Sequence, residues 1–297
     1  MQRPQDLVFT LFGDVLLHRR GPVWVGSLIA LLEPLALSEG AVRTVLSRMA
    51  GKGWLAAERL GRLSFYDLTP RGRALLEEGE SRIHHPDWDR PWDGRWTLIA
   101  YSIPEDERHL RTRLRDRLAW LGFGSLGNGL WISPHDVEAE VRQVAEELDV
   151  GSYLACFAAT GTAFSEPDDL VAKCWDLAGI NARYEAFIAR HVPDFKRCRA
   201  ARDASDVGDM RDVGGIAGEE AYVLRFRLVH EYRDFPLIDP YLPRQLLPEN
   251  WAGECAAHLF RTYHDLLSSA ADAYVASVLT EAPPAPARSA AHGPVSG

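Results

Sequence analysis

Apolar residues recur at helical spacing after Ser38: Ala41, Val42, Val45, Leu46 and Met49 fall on one side, and Arg43, Thr44, Ser47, Arg48 and Lys52 on the other. Ser38 suits an N-cap, because its hydroxyl can accept an orphan backbone N–H, and Gly51 and Gly53 supply a left-handed stop. The spacing predicts a helix of about three turns. Upstream, residues 22–32 form an apolar helical segment halted by Pro34, with Ala36 and Leu37 as a short turn. Downstream, residues 54–60 and 64–68 read as strands of a hairpin around Gly61 and Arg62. Thr69 and Pro70 then open a further helix as N-cap and first-turn residue. Helix, turn, helix and hairpin in that order predict a winged helix-turn-helix.

The pattern changes beyond residue 84. Residues 84–94 are rich in Pro, Asp and Trp and have no period, which reads as a linker. Residues 95–103 alternate as a buried strand, and Pro104 begins a helix carrying Leu110, Leu114, Leu118 and Leu121. Two short strands, 122–126 and 130–133, a helix over 137–148 and a strand over 152–159 complete a βαββαβ order, the ferredoxin-like unit. Residues 167–189 have helical spacing, 199–219 read as a polar loop, 220–235 as a long helix, and 239–248 as a proline-stiffened connector before a helix reaching Leu279. Beyond Glu281 the Pro, Ala, Gly and Ser content predicts disorder. The fold class expected is α+β, in five segments: a winged helix-turn-helix over 1–85, a linker over 86–94, a ferredoxin-like domain over 95–165, a mainly helical domain over 166–281 and a tail over 282–297.

Chemistry enters through charge. The chain of 297 residues carries a net charge of −9, which taken alone argues against nucleic acid. The first helical face and hairpin run against that balance, with Arg43, Arg48, Lys52, Arg59 and Arg62 facing only Glu39 and Glu58. Arg suits guanine edges, Ser and Thr suit bases or phosphates, and Lys suits phosphates. Ser38, Arg43, Thr44, Ser47, Arg48, Lys52, Arg59 and Arg62 are therefore the expected DNA-binding residues. An acidic body would repel DNA everywhere except at this head, and a modest affinity per subunit favours a homodimer on double-stranded operator DNA. The arginine row at 108, 111, 113, 115 and 117 is interleaved with Glu107 and Asp116 and reads as a solvated face.

Other classes are disfavoured. The most apolar run, 24–37, is broken by Glu33 and Pro34 and is too short to span a bilayer. No basic stretch followed by an apolar core stands near residue 1, so no secretory signal and a cytoplasmic location are expected. Cys156, Cys174, Cys198 and Cys255 lack the paired spacing of zinc or redox motifs and read as free thiols. His84 and His85 beside Asp87 and Asp89 read as a polar linker, not a metal site. No cofactor and no metal are expected.

The run WVGSLIALLEPLALSEGAVRTVLSRMAGKGWL, the GRLSFYDLTPRGRALL segment, WTLIAYSIPEDERHLRTRLRDRLAWLGFGSLGNGLWISP and LIDPYLPRQLLPENWAG together resemble the phenylacetate-degradation repressor (PaaX-type) family, over about residues 5 to 280. The resemblance implies a repressor of aromatic-acid catabolic genes that binds palindromic operators, and an acyl-coenzyme A effector such as phenylacetyl-coenzyme A. It does not identify the effector pocket. The central segment also resembles the small CRISPR-associated nuclease fold, whose first strand ends in a metal-binding aspartate. Here that place is held by Ser102, which cannot offer a hard cation an anionic oxygen, while Glu105 and Asp106 also suit a helix N-terminus. A non-enzyme is expected. The alternatives are a metal-dependent nuclease built on that domain and an architectural DNA binder without an effector.

Overall fold

The computed structural model describes residues 3–84, 88–162, 164–205 and 216–283. In chain order the elements are helix α1 (Pro4–Thr10), continued as a π-helix over Leu11–Leu16, then strand β1 (Val23–Trp24), α2 (Val25–Leu32), α3 (Glu39–Gly51), β2 (Leu55–Leu60), β3 (Leu63–Leu68) and α4 (Pro70–His84). Next come β4 (Arg95–Tyr101), α5 (Arg108–Trp120), β5 (Gly124–Gly127), β6 (Leu130–Ser133), α6 (Glu138–Leu148) and β7 (Leu154–Thr160). The chain ends in helices α7 (Pro167–Cys174), α8 (Leu177–Ser205), α9 (Gly218–Tyr232) and α10 (Gly253–Thr280). The fold is mixed helix and strand, with two antiparallel sheets and a helical C-terminal region.

One compact unit combines residues 1–84 with 191–233 and 259–297. Its sheet runs β1-β3-β2, with Leu55 opposite Leu68 and Leu60 opposite Leu63, so that Gly61 and Arg62 form a two-residue turn. Val42, Leu46 and Met49 of α3 pack with no exposure in a core shared with Val8, Leu11, Leu28, Leu31 and Leu32. Gly72 is needed in this core, because a Cβ there would come within 2.2 Å of the Trp54 carbonyl oxygen. The C-terminal helices belong to the same body through polar ties. Arg225 of α9 bonds both carboxylate oxygens of Asp14, at 3.1 Å each, and Asp272 of α10 at 2.7 Å. His264 lies 3.2 Å from Asp14, and the Tyr222 hydroxyl donates to the Leu31 carbonyl at 2.7 Å. Burial alone would raise the Asp14 pKa, but the His264 hydrogen bond and the Arg225 charge outweigh it and hold the carboxyl below its ordinary range.

The other unit, residues 85–190 with 234–258, is built on a sheet in the order β5-β6-β4-β7. Ile99 and Trp131 on one face meet Leu114 and Leu118 of α5 and Val141, Val144 and Leu148 of α6. On the opposite face Trp96 stacks on Trp175 with ring centres 6.4 Å apart. Tyr184 stacks on Phe235 at 4.0 Å and donates its hydroxyl to Asp239 at 2.7 Å.

Several boundaries differ from the sequence expectations, each for a local reason. Residues 23 and 24 are strand, not helix, because they pair with Tyr66 and Phe65, so the helix starts at Val25. The left-handed stop after α3 is Gly53 alone (φ 73°), and Gly51 remains helical. The strand expected to reach Ile103 ends at Tyr101, and residues 105–107 form a 3-10 turn before α5 begins at Arg108. The run over 167–189 is broken between Cys174 and Leu177, where Trp175 turns extended and packs on Trp96. Residues 199–205, expected as loop, continue α8, with Arg197 bonding Glu220 and Asp194 at its surface. In the linker, residues 85–87 lie outside the described residues, whereas Trp88 is buried and packs on Tyr241, with ring centres 5.6 Å apart. The tail beyond residue 283 also lies outside them.

Candidate nucleic-acid interface

The helix α3 owes its position to its own apolar side. With Val42, Val45, Leu46 and Met49 buried, the geometry of the helix leaves Arg43, Thr44, Ser47, Arg48 and Lys52 exposed on the other side. Ser38 caps the helix, its Oγ accepting from the Ala41 N–H at 3.4 Å, so this hydroxyl serves the backbone. Thr44 Oγ1 donates back to the Gly40 carbonyl at 2.8 Å. Arg43 is engaged by Glu39, whose Oε1 lies 2.8 Å from both Nε and a terminal nitrogen. That pair is half exposed and so weak, but it offsets the Arg43 charge before any ligand arrives. Arg48 enters no salt bridge among the described residues, and Lys52 Nζ stands 4.9 Å over the Trp54 ring.

The hairpin of β2 and β3 places Arg59 opposite Ser64 and Arg62 in the exposed turn after Gly61, which has φ 61°. Only Phe65 of β3 is fully buried, and five of the six residues of β2 are exposed, so the hairpin projects as a wet ribbon rather than a core strand. The groove beside α3 includes residues absent from the sequence expectation. Arg3 and Gln5, from the start of α1, line a cleft of about 660 Å³ with Gly40, Thr44, Arg48 and Lys52. Pro4 suits the first turn of a helix, but nothing local in the sequence indicates that this start faces α3.

Elsewhere the chemistry is less promising. Ser102 is exposed, with its N–H donating to the Tyr153 carbonyl at 3.0 Å, and Glu105 pairs with Arg111 at 3.2 Å. No group of three or more His, Cys, Asp or Glu is placed to hold a metal ion among the described residues. All four cysteines are free thiols, and burial pushes Cys174 up to about 11, leaving it neutral near pH 7. A cleft of about 1000 Å³ between α7, the start of α8 and residues 245–250 is lined by Asp168, Asp176, Glu185 and Glu249 against Lys173. That acidic excess suits a polyphosphorylated ligand poorly. No helix among the described residues is long and apolar enough to cross a membrane.

Three sequence families match in succession: "PaaX-like protein" over residues 3–72, "PaaX protein central Cas2-like domain" over 89–171 and "PaaX-like protein C-terminal domain" over 175–277. The class is thus that of three-part PaaX-like proteins. The chain is 36% identical over 273 residues to the transcriptional repressor PaaX of Escherichia coli (strain K12), covering 91% of this chain and 82% of that one. The chain belongs to the PaaX family. It also resembles in fold the protein Rv0674 of Mycobacterium tuberculosis, with a TM-score of 0.55 at 23% identity, covering 92% of this chain and 98% of that one.

Proposed function

We propose that this chain is a ligand-responsive transcriptional repressor that binds palindromic operator DNA of an aromatic-acid, phenylacetate-type catabolic pathway and is released by an aryl-coenzyme A thioester such as phenylacetyl-coenzyme A. The observation that carries the DNA reading is the two-sided helix α3, buried on its apolar face and open on Arg48, Ser47 and Lys52. In this reading residues 1–85 form a winged helix-turn-helix, with α2 and α3 as its helices and the β2–β3 hairpin as its wing. Residues 95–165 form the ferredoxin-like part, an assignment supported by the β5-β6-β4-β7 order, and residues 166–281 the helical part. Arg48 reads bases, with Ser47, Thr44 and Arg43 beside it, and Lys52, Arg59 and Arg62 hold phosphates. Ser38 acts by capping, and Arg3 joins the phosphate set. The name of the Escherichia coli relative supports repression, and a homodimer in the cytoplasm suits a palindromic site.

The test is a footprint and titration on the control region of the catabolic genes, with and without phenylacetyl-coenzyme A. Protection of two half-sites about one helical turn apart, lost when the thioester is added, is the expected result. Protection that no aryl thioester relieves would reject the effector reading, and no protection at all would reject the repressor.

A further inference from the structure

Helix α5 packs beside α6 on one face of the four-stranded sheet through buried Leu114 and Leu118, with Leu110 and Leu121 against the same core. That apolar stripe leaves five arginines on the rest of the helix circumference, at 108, 111, 113, 115 and 117. Carboxylates of neighbouring elements reach the two that flank the stripe. Glu105 pairs with Arg111 at 3.2 Å, and Glu147 of α6 pairs with Arg117 at 3.7 Å. Arg108, Arg113 and Arg115 are exposed, and their side chains enter no salt bridge or hydrogen bond among the described residues.

A helix face that is merely solvated alternates its signs, so that residues four apart attract. The neighbouring α6 does this, with Arg142 bonded to Glu138 and Gln143 to Glu147, each at 2.8 Å. α5 does the opposite. Arg111 and Arg115 stand four residues apart, as do Arg113 and Arg117, and Arg108 and Arg111 stand three apart, so cation faces cation along both flanks of the helix. That arrangement weakens a helix left in water. Asp106 before the helix and Asp116 within it are exposed, and neither pairs with the three arginines. Between the two flanks lie Thr112 and Ala119, and no Trp, Tyr or Phe of α5 is exposed. A protein partner needs anchors to desolvate, and single-stranded nucleic acid needs rings on which to stack its bases, so this face suits neither. A duplex needs only cations at its phosphates. Arg108 and Arg115 are two turns apart, about 10 Å, which is the axial span of three phosphates of one strand.

We infer that α5 holds the phosphate backbone of double-stranded DNA through Arg108, Arg113 and Arg115, a contact beyond those of α3 and the hairpin. Each guanidinium meets phosphate oxygens, so the contact adds affinity and carries no base reading. On a chain of net charge −9 an uncompensated row of cations stands out against a surface that otherwise repels DNA. The inference rests on the proposed DNA-binding role and extends it to the second compact unit.

The experiment is a set of anisotropy titrations of the full-length protein at several salt concentrations, on a duplex from the control region of the catabolic genes and on an unrelated duplex. Combining Arg108→Gln, Arg113→Gln and Arg115→Gln keeps helix propensity and removes the like charges, so this variant should melt no lower than the native chain. On both duplexes it should lower the slope of log affinity against log salt by about 2–3, leaving the ratio of the two affinities unchanged. A charge-matched variant, Arg142→Gln with Lys173→Gln and Arg183→Gln, removes exposed cations from other helices of the same unit and should keep the native slope. Asp116→Asn should tighten both duplexes by about 2- to 5-fold, the scale of one exposed ion pair. A native slope in the α5 variant, an equal fall in both triple variants, or unchanged affinity in Asp116→Asn would each overturn the contact. If the α5 variant keeps the native slope while the control region is still preferred, the contact is wrong and the repressor stands. If the native chain binds both duplexes alike and the α5 variant loses slope, the contact stands and the repressor reading fails. A native chain that binds neither duplex would overturn both.

Discussion

At the residue scale, the cations of the proposed DNA-binding surface are not equivalent, because their surroundings differ. Arg43 is held by Glu39 and must exchange one carboxylate for a base or phosphate, so its net gain on DNA is reduced. Arg48 gives up no salt bridge among the described residues. Arg48→Ala should therefore cost about 1–3 kcal/mol of operator affinity and relax base preference at one position per half-site. Arg43→Ala should cost less, and Glu39→Gln should tighten binding by freeing Arg43. Anisotropy titrations on operator variants at fixed salt check the order, and equal losses in both arginine variants would remove the distinction. Arg62 lies in the exposed turn of the hairpin, which the proposed function sets against phosphates. Arg62→Ala should weaken all duplexes alike and lower the slope of log affinity against log salt by about one.

At the element scale, the load falls on the π-helical turn that carries Asp14. A carboxylate taken out of water is costly unless paired, and Asp14 is paired by Arg225 twice and by His264. Asp14→Asn removes one of the two carboxylate charges facing the buried Arg225 and turns one acceptor oxygen into a donor, and should cost roughly 3–5 kcal/mol of stability. The pH dependence has a definite sign. The native pKa of Asp14 lies below the ordinary 3.8, so its contribution is complete above that value and is lost as pH falls through the native pKa. Acid unfolding monitored by circular dichroism should show a steeper loss in the native chain than in Asp14→Asn. Little of this network could be read from the sequence, because Asp14, Arg225 and the α10 pair His264 and Asp272 lie on three segments far apart in the chain and no spacing rule links those segments. By contrast, α3 was legible to its caps, since Ser38 and the apolar period are local signals. The β4-to-β7 order was legible for the same reason, alternating strands and helical stripes each announcing themselves within a dozen residues. The continuation of α8 through polar residues 199–205 was not, because its support comes from contacts such as Arg197 with Glu220 that only the folded chain brings together.

At the scale of the whole molecule, the compact body that holds α3 is not the N-terminal segment alone. It includes α9 and α10, tied to α1 and its π turn through Arg225 and to α2 through Tyr222 and Leu31. A ligand acts at a distance only by favouring one of two arrangements, and these ties give the C-terminal helices a physical hold on the helices that flank α3. Full-length protein should lose operator affinity by about 5–150-fold on saturation with phenylacetyl-coenzyme A, the range of typical coupling energies. Replacing Arg225 by Lys keeps one charge but not the bidentate fork, so Arg225→Lys should bind operator while showing a smaller change on adding the thioester. Both quantities come from one pair of anisotropy titrations, with thermal unfolding confirming that the variant is folded. If Arg225→Lys kept the full response, the coupling would not run through the Arg225–Asp14 pair, and the Tyr222 bond to the Leu31 carbonyl would be the next tie to test.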